Sequence, residues 1–201
     1  MTSSHPFVNA LRHETIALHS ATQLSGHVDP PTLRARQPTF QGYVRWIAHQ
    51  RHIHQALKRF PVQPKFDFVE ALETELYYLD LEAAWRDELV YQPEVTPYAA
   101  YLSTLPHALL GCHWYNVVFA HVVGGNTAVA NTARDVLPKG WIETSGLFTN
   151  HGCDAESLRD ALELEASTWT SNERRGSLLE TPVAFAYISG LHRELTDPVE
   201  N

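Results

Sequence analysis

The apolar run Ala108–Ala120 leads directly into His121-Val122-Val123-Gly124-Gly125. An apolar segment of that length at helical spacing has to pack among other elements. Two adjacent glycines inside it cost roughly 1 kcal/mol each relative to alanine, so something compensates for them. A flat ligand that needs bare backbone against its face is one explanation. A kink or a tight helix–helix crossing is the other, and the segment alone leaves both open.

Helical spacing extends to nearly the whole chain. Phe7–Gln23 reads as a first helix, with Phe7, Val8, Leu11, Thr15, Leu18 and Thr22 on its inner face. The stretch 26–38, with Pro30, Pro31 and Pro38, is an irregular connection. Thr39 is placed as the N-cap of a second helix carrying Phe40, Tyr43, Val44, Ile47, Leu57 and Phe60, which ends at Pro61–Pro64. A third helix is expected over Phe66–Asp87. A fourth starts at Pro97 or Tyr98 and is interrupted at Pro106. A long helix then runs from about Ala108 to Val136, with the glycine pair inside it. Asp154 caps another helix to Thr170, and a last one follows Arg175-Gly176 to about Leu195. No sustained strand alternation occurs, although residues 90–95 suit a short extended piece. The expected fold is all-α, a single domain over residues 1–201 built as a bundle of six or more helices.

At 201 residues the chain is long enough to bury a full core. Its net charge of −8 excludes a generic basic nucleic-acid binder. No apolar run approaches the roughly 20 residues of a membrane helix, and the N-terminus lacks the basic and apolar regions of a secretory signal. Cys112 and Cys153 form neither a CxxC pair nor a disulfide framework, which suits a reducing compartment. The expected location is cytoplasmic, or the plastid stroma for a mature form.

Several side chains could carry chemistry. Arg12, Thr15, Ile16, His19 and Gln23 share one face of the first helix. An arginine two turns before a histidine suits a planar ligand that has a metal and a peripheral acid. A satisfied core histidine explains His19 equally simply. Tyr115 can reach a ligand carboxylate or merely pack, and His121 can join a hydrogen-bond network beside the glycines or tie two helices together. His49, His52 and His54 offer a zinc-like spacing, but no cysteine or carboxylate nearby completes a set. Glu70, Glu73, Glu75, Asp80 and Glu82 on the third helix read as a solvated acidic face. As di-iron ligands they lack the Glu-x-x-His pairs of such bundles.

Taken together, these segments resemble the plant-type heme oxygenases. FVNALRHETIALHSATQ resembles the family's N-terminal helix, QPTFQGYVRWIAHQRHIHQAL its next helical segment and CHWYNVVFAHVVGGN its distal helix. EASTWTSNERRGSLLETPVAFAYISGL resembles its last two helices. The CHWYN and FAHVVGG pieces are the specific ones. The resemblance implies a heme oxygenase-like helical bundle and oxidative opening of heme to biliverdin, carbon monoxide and iron. Heme would be both substrate and cofactor, dioxygen the oxidant, and a ferredoxin or another donor the electron source. It implies His19 as the axial ligand of the heme iron. Gly124 and Gly125 become the distal glycines against the porphyrin, and His121 the group that supports distal waters. Arg12, Tyr115 and Arg159 become the anchors of the propionates. Ile16 and Ala155 stand where some members carry further lysines, and Asn126-Thr127 replace a basic and bulky pair. An acidic ferredoxin needs a local basic patch, for which Arg34, Arg36, Arg45, Arg51, Lys58 and Arg59 are candidates. The chain is expected to act as a monomer. The rival readings are a non-catalytic heme carrier or regulatory protein, and a di-iron oxidase on the same scaffold.

Overall fold

The computed structural model describes residues 5–25, 39–81, 96–125, 130–131, 134, 136–137, 139–141, 145–147 and 153–194. Among them there is no strand. Seven α-helices appear in chain order: α1 (Pro6–Ser25), α2 (Phe40–Leu57), α3 (Phe68–Leu81), α4 (Pro97–Thr104), α5 (His107–Trp114), α6 (Ala155–Ser167) and α7 (Ser171–Glu194). Two π-helical segments continue α5 without a break, π1 (Tyr115–Phe119) and π2 (His121–Gly125).

The helix starts follow local chemistry. The Thr39 side chain accepts a hydrogen bond from the Gly42 N–H at 2.9 Å, so α2 begins where the sequence places it. Asp154 accepts from Glu156 and Ser157 at the head of α6. Asp67 accepts from the Val69 and Glu70 N–H groups, which fixes the start of α3 just after the expected Phe66. Thr96 caps α4, with Pro97 in its first turn. The open end of α1 is closed from another helix: the Glu163 carboxylate of α6 accepts from Phe7 N at 3.2 Å and Val8 N at 3.0 Å. That contact satisfies two orphan donors and sets a negative group on a positive helix end.

α7 corrects the expected boundary. It begins at Ser171 rather than after Gly176, because Thr170 and Glu173 form a reciprocal capping box across its first turn. Gly176 lies inside the helix, where a Cβ would come 3.3 Å from Leu109 of α5. It marks a close helix crossing rather than a break. Gly111 of α5 is tighter still, since a Cβ there would sit 2.5 Å from the Trp169 ring. Trp169 packs edge-on against Phe7 and Phe60, and Phe60 lies 5.9 Å from Trp114. This aromatic core joins α1, α5 and the α6–α7 junction. α7 lies along α5, α1 and α2, while α2 also packs on α3 and α4. The long helix expected over Ala108–Val136 is helical from His107 to Gly125, but its second half is wound as π turns. Residues 126–129, Asn126 and Thr127 among them, lie outside the described residues, as do Arg34 and Arg36.

Candidate functional site

Arg12 and His19 stand seven residues apart on α1, roughly 10 Å along its axis at ~1.5 Å per residue. Between them, the Thr15 hydroxyl donates to Asn116 Oδ1 at 3.2 Å and ties α1 to π1. The His19 side chain is exposed, and its ring edge meets Phe185 of α7 at 4.7 Å and 83°. Partial desolvation there lowers its pKa below the usual imidazole value. The ring is therefore neutral at pH 7, as a metal ligand must be.

Tyr115 is buried at the start of π1 and stacks on Phe119 at 5.0 Å and 16°. Burial raises its phenol pKa, while the positive charges of Arg12 and Arg159 pull it back down. The guanidinium of Arg159, on α6, lies 5.5 Å from the Phe119 ring centroid. Arg12, Tyr115 and Arg159 come from three different elements, and the fold brings them within electrostatic reach of one another. Two guanidinium groups and a hydroxyl on one edge, with a neutral histidine further along the same α1 face, suit a planar ligand with peripheral carboxylates and a central metal.

His121 is held differently. It is buried in π2, with Nε2 3.5 Å from the Leu147 carbonyl. Its ring meets Phe68 at 4.9 Å and 80°, and His54 at 6.4 Å and 86°. His54 stacks on Phe68 and is fully buried; burial first, and then His121, lower its pKa to about 3. Gly124 and Gly125 close π2. A π turn is wider than an α turn and leaves carbonyl groups out of register, a form concentrated at functional sites. The glycines thus belong to a distorted helix.

Other expected groups are not brought together. His49 and His52 lie half-buried on α2, while His54 points into the core beside His121. Among the described residues no cluster of three His, Cys, Asp or Glu side chains could hold a metal ion. Glu82 lies outside those residues. Of the basic candidates, Arg51 pairs with Glu73 at 3.0 Å and Lys58 with Asp67 at 2.8 Å. Arg59 donates to the Leu102 and Leu105 carbonyls at the end of α4. Ile16 is exposed and Ala155 half-buried.

One polar residue contradicts the sequence reading. Glu75, expected on a solvated face, is buried to 3% exposure. Its Oε1 accepts from the Tyr43 hydroxyl at 2.7 Å and the Trp141 indole at 2.6 Å, and its Oε2 from Ser145 at 2.6 Å. The signal was present: Phe68, Leu72, Glu75 and Leu79 follow the helical spacing of one buried stripe. A second interior network, also unforeseen, places His113 between the Tyr98 hydroxyl at 2.8 Å and Glu180 at 3.2 Å.

The chain is 28% identical to "Heme oxygenase 1, chloroplastic" of Oryza sativa subsp. japonica, covering 94% of this chain and 71% of that protein. It is 28% identical to "Heme oxygenase 1, chloroplastic" of Arabidopsis thaliana, over 92% of this chain and 72% of the other. It is 22% identical to "Probable inactive heme oxygenase 2, chloroplastic" of the same plant, over 78% of this chain and 56% of the other. No protein-family model matches. With an all-helical fold among the described residues, the chain is similar to the plant-type heme oxygenases through nearly its whole length.

Proposed function

We propose that the protein is a heme oxygenase that opens the heme ring to biliverdin, carbon monoxide and ferrous iron. It would use dioxygen and electrons from a ferredoxin or another donor. The observation that carries the reading is the electrostatic reach of Arg12 and Arg159 to the Tyr115 phenol, with neutral His19 on the same α1 face as Arg12. When bound, heme supplies the iron-centred activation of dioxygen that no protein side chain can supply.

The chain's own residues do the rest. His19 would hold the heme iron through a ring nitrogen. Arg12, Arg159 and the Tyr115 hydroxyl would hold the propionates and so set the orientation of the ring. Gly124 and Gly125 let backbone approach the ring face, where a Cβ would stand off. His121 orients the water that delivers protons. The partnered state of Arg51, Lys58 and Arg59 leaves the donor-docking patch to other cations. Two relatives named chloroplastic favour the plastid stroma as the place of action.

Mixing the protein with heme and then with ascorbate or reduced ferredoxin tests the reading. Loss of the Soret band with appearance of biliverdin is expected. A bound-heme spectrum that persists under both reductants overturns it in favour of a non-catalytic heme protein. The likeness to the relative named as probably inactive favours that second reading.

A further inference from the structure

We propose that Glu75 is a positioning residue for His121, acting through Ser145 and the Leu147 backbone. The proposal rests on the reading of His121 as the distal proton-orienting group. Glu75 projects from α3 into the interior, and all three of its hydrogen-bond donors come from other elements. Tyr43 belongs to α2, while Trp141 and Ser145 belong to the chain between π2 and α6. A buried carboxyl is tolerated only when its oxygens are satisfied, and here two oxygens accept three bonds. An amide would offer one acceptor, and its NH2 in place of Oε2 would donate to the Ser145 hydroxyl and compete there with the Leu147 N–H.

The consequence runs outward from Oε2. Because the Ser145 hydroxyl donates to Glu75, its lone pairs are directed elsewhere, and it accepts from the Leu147 N–H at 3.2 Å. That pair of bonds pins the 145–147 turn against α3. The carbonyl of the same Leu147 lies 3.5 Å from His121 Nε2. A carbonyl only accepts, so the contact calls for a proton on His121 Nε2. Phe68 and His54 close two sides of the ring. Glu75, Ser145 and Leu147 thereby fix both the rotation and the proton position of a residue that Glu75 never touches.

The test uses 15N-labelled full chain, with the ring nitrogens of His121 read by NMR and the C–O stretch read in the carbon monoxide complex of the heme-loaded protein. The wild type is expected to show a single Nε2–H pattern. Ser145→Ala and Glu75→Gln are expected to lose it to a mixture of tautomers and to shift the C–O stretch, and Ser145→Thr, which keeps the hydroxyl, to restore both. An unchanged nitrogen pattern in folded Ser145→Ala overturns the proposal, and Ser145→Ala decides alone if Glu75→Gln does not fold. A lost nitrogen pattern in Ser145→Ala alongside a wild type that binds no heme supports the relay and defeats the heme reading instead. The two failures are therefore distinguishable.

Discussion

His19 and His121 carry the same side chain, and the fold treats them in opposite ways. His19 sits on a regular α-helix with an exposed ring whose edge meets Phe185. His121 sits on π turns, buried among Phe68, His54 and the Leu147 carbonyl. The difference matches the two proposed jobs. A metal ligand needs a neutral imidazole with an accessible lone pair. A residue that orients protons needs one rotation and one tautomer, and these have to be imposed from outside the helix. Removing each histidine's support should therefore act on different measurements.

The largest effect is expected from His19→Ala, which removes the nitrogen proposed to hold the iron. Ring opening should fall by more than about 1,000-fold, above 4 kcal/mol of lost transition-state stabilisation. The His-ligated absorption of bound heme should vanish with it. Retention of the wild-type ligation spectrum would place the ligand elsewhere.

Next comes the buried side, read through pH. His54 titrates near 3 in the folded state against an ordinary imidazole value of 6.5. Between those values the unfolded chain binds the extra proton, so stability rises with pH through this window and is lost as pH falls below 6.5. The loss attributable to His54 should reach about 3 kcal/mol by pH 4. Melting curves at pH 7, 5 and 4 check it: His54→Phe, which keeps a ring on Phe68, should show the flatter pH dependence. Equal slopes in the two proteins would show that His54 is not the group being protonated.

Much of this contrast is legible in the sequence, for identifiable reasons. Thr39 and Asp154 announce their helices because a cap is a local hydrogen bond. The Arg12–His19 face follows from the α period alone. Glu75 was hidden because Glu70 and Glu73 precede it and Asp80 and Glu82 follow it, and five acids on one expected helix read as a solvated face until the stripe from Phe68 to Leu79 is counted. The HxxHxH run misleads similarly. His49 and His52 share a side of α2, but position 54 is turned well away from position 49, into the core. The π winding of 115–119 and 121–125 has no compositional signature. The start of α7 was missed because Gly176 resembled a stop, whereas the Thr170–Glu173 capping box lies three to six residues earlier.

A smaller effect should fall on both histidines' elements together. Gly111→Ala places a Cβ 2.5 Å from a Trp169 ring atom, and that ring is wedged between Phe7 and Phe60. Overpacking of this kind costs about 2 kcal/mol, seen as a lower melting temperature. A wild-type melting temperature would mean that the ring can yield. Smaller again, Arg12→Ala and Arg159→Ala should each weaken heme binding about three- to tenfold, from ~1 kcal/mol per partly exposed charge pair. Raising the salt should shrink the difference. A titration that is insensitive to both substitution and salt would remove the propionate edge from the account.

The smallest effect is expected where the two sides are joined. Thr15 is one turn before His19, Asn116 is one residue after Tyr115, and their 3.2 Å bond links the regular helix to the π-wound one. Thr15→Val keeps the shape and removes the donor. The loss should be about 1 kcal/mol, the net worth of one partly buried hydrogen bond. Asn116 remains anchored because its Nδ2 donates to the Cys112 carbonyl at 2.8 Å, within the same distal helix. If the two histidines are supported independently, Thr15→Val should leave both the His19 ligation spectrum and the His121 tautomer as they are. A change in either would mean that the support crosses between the helices, and the contrast drawn between exposed ligand and caged orienting residue would have to be replaced by a single coupled frame.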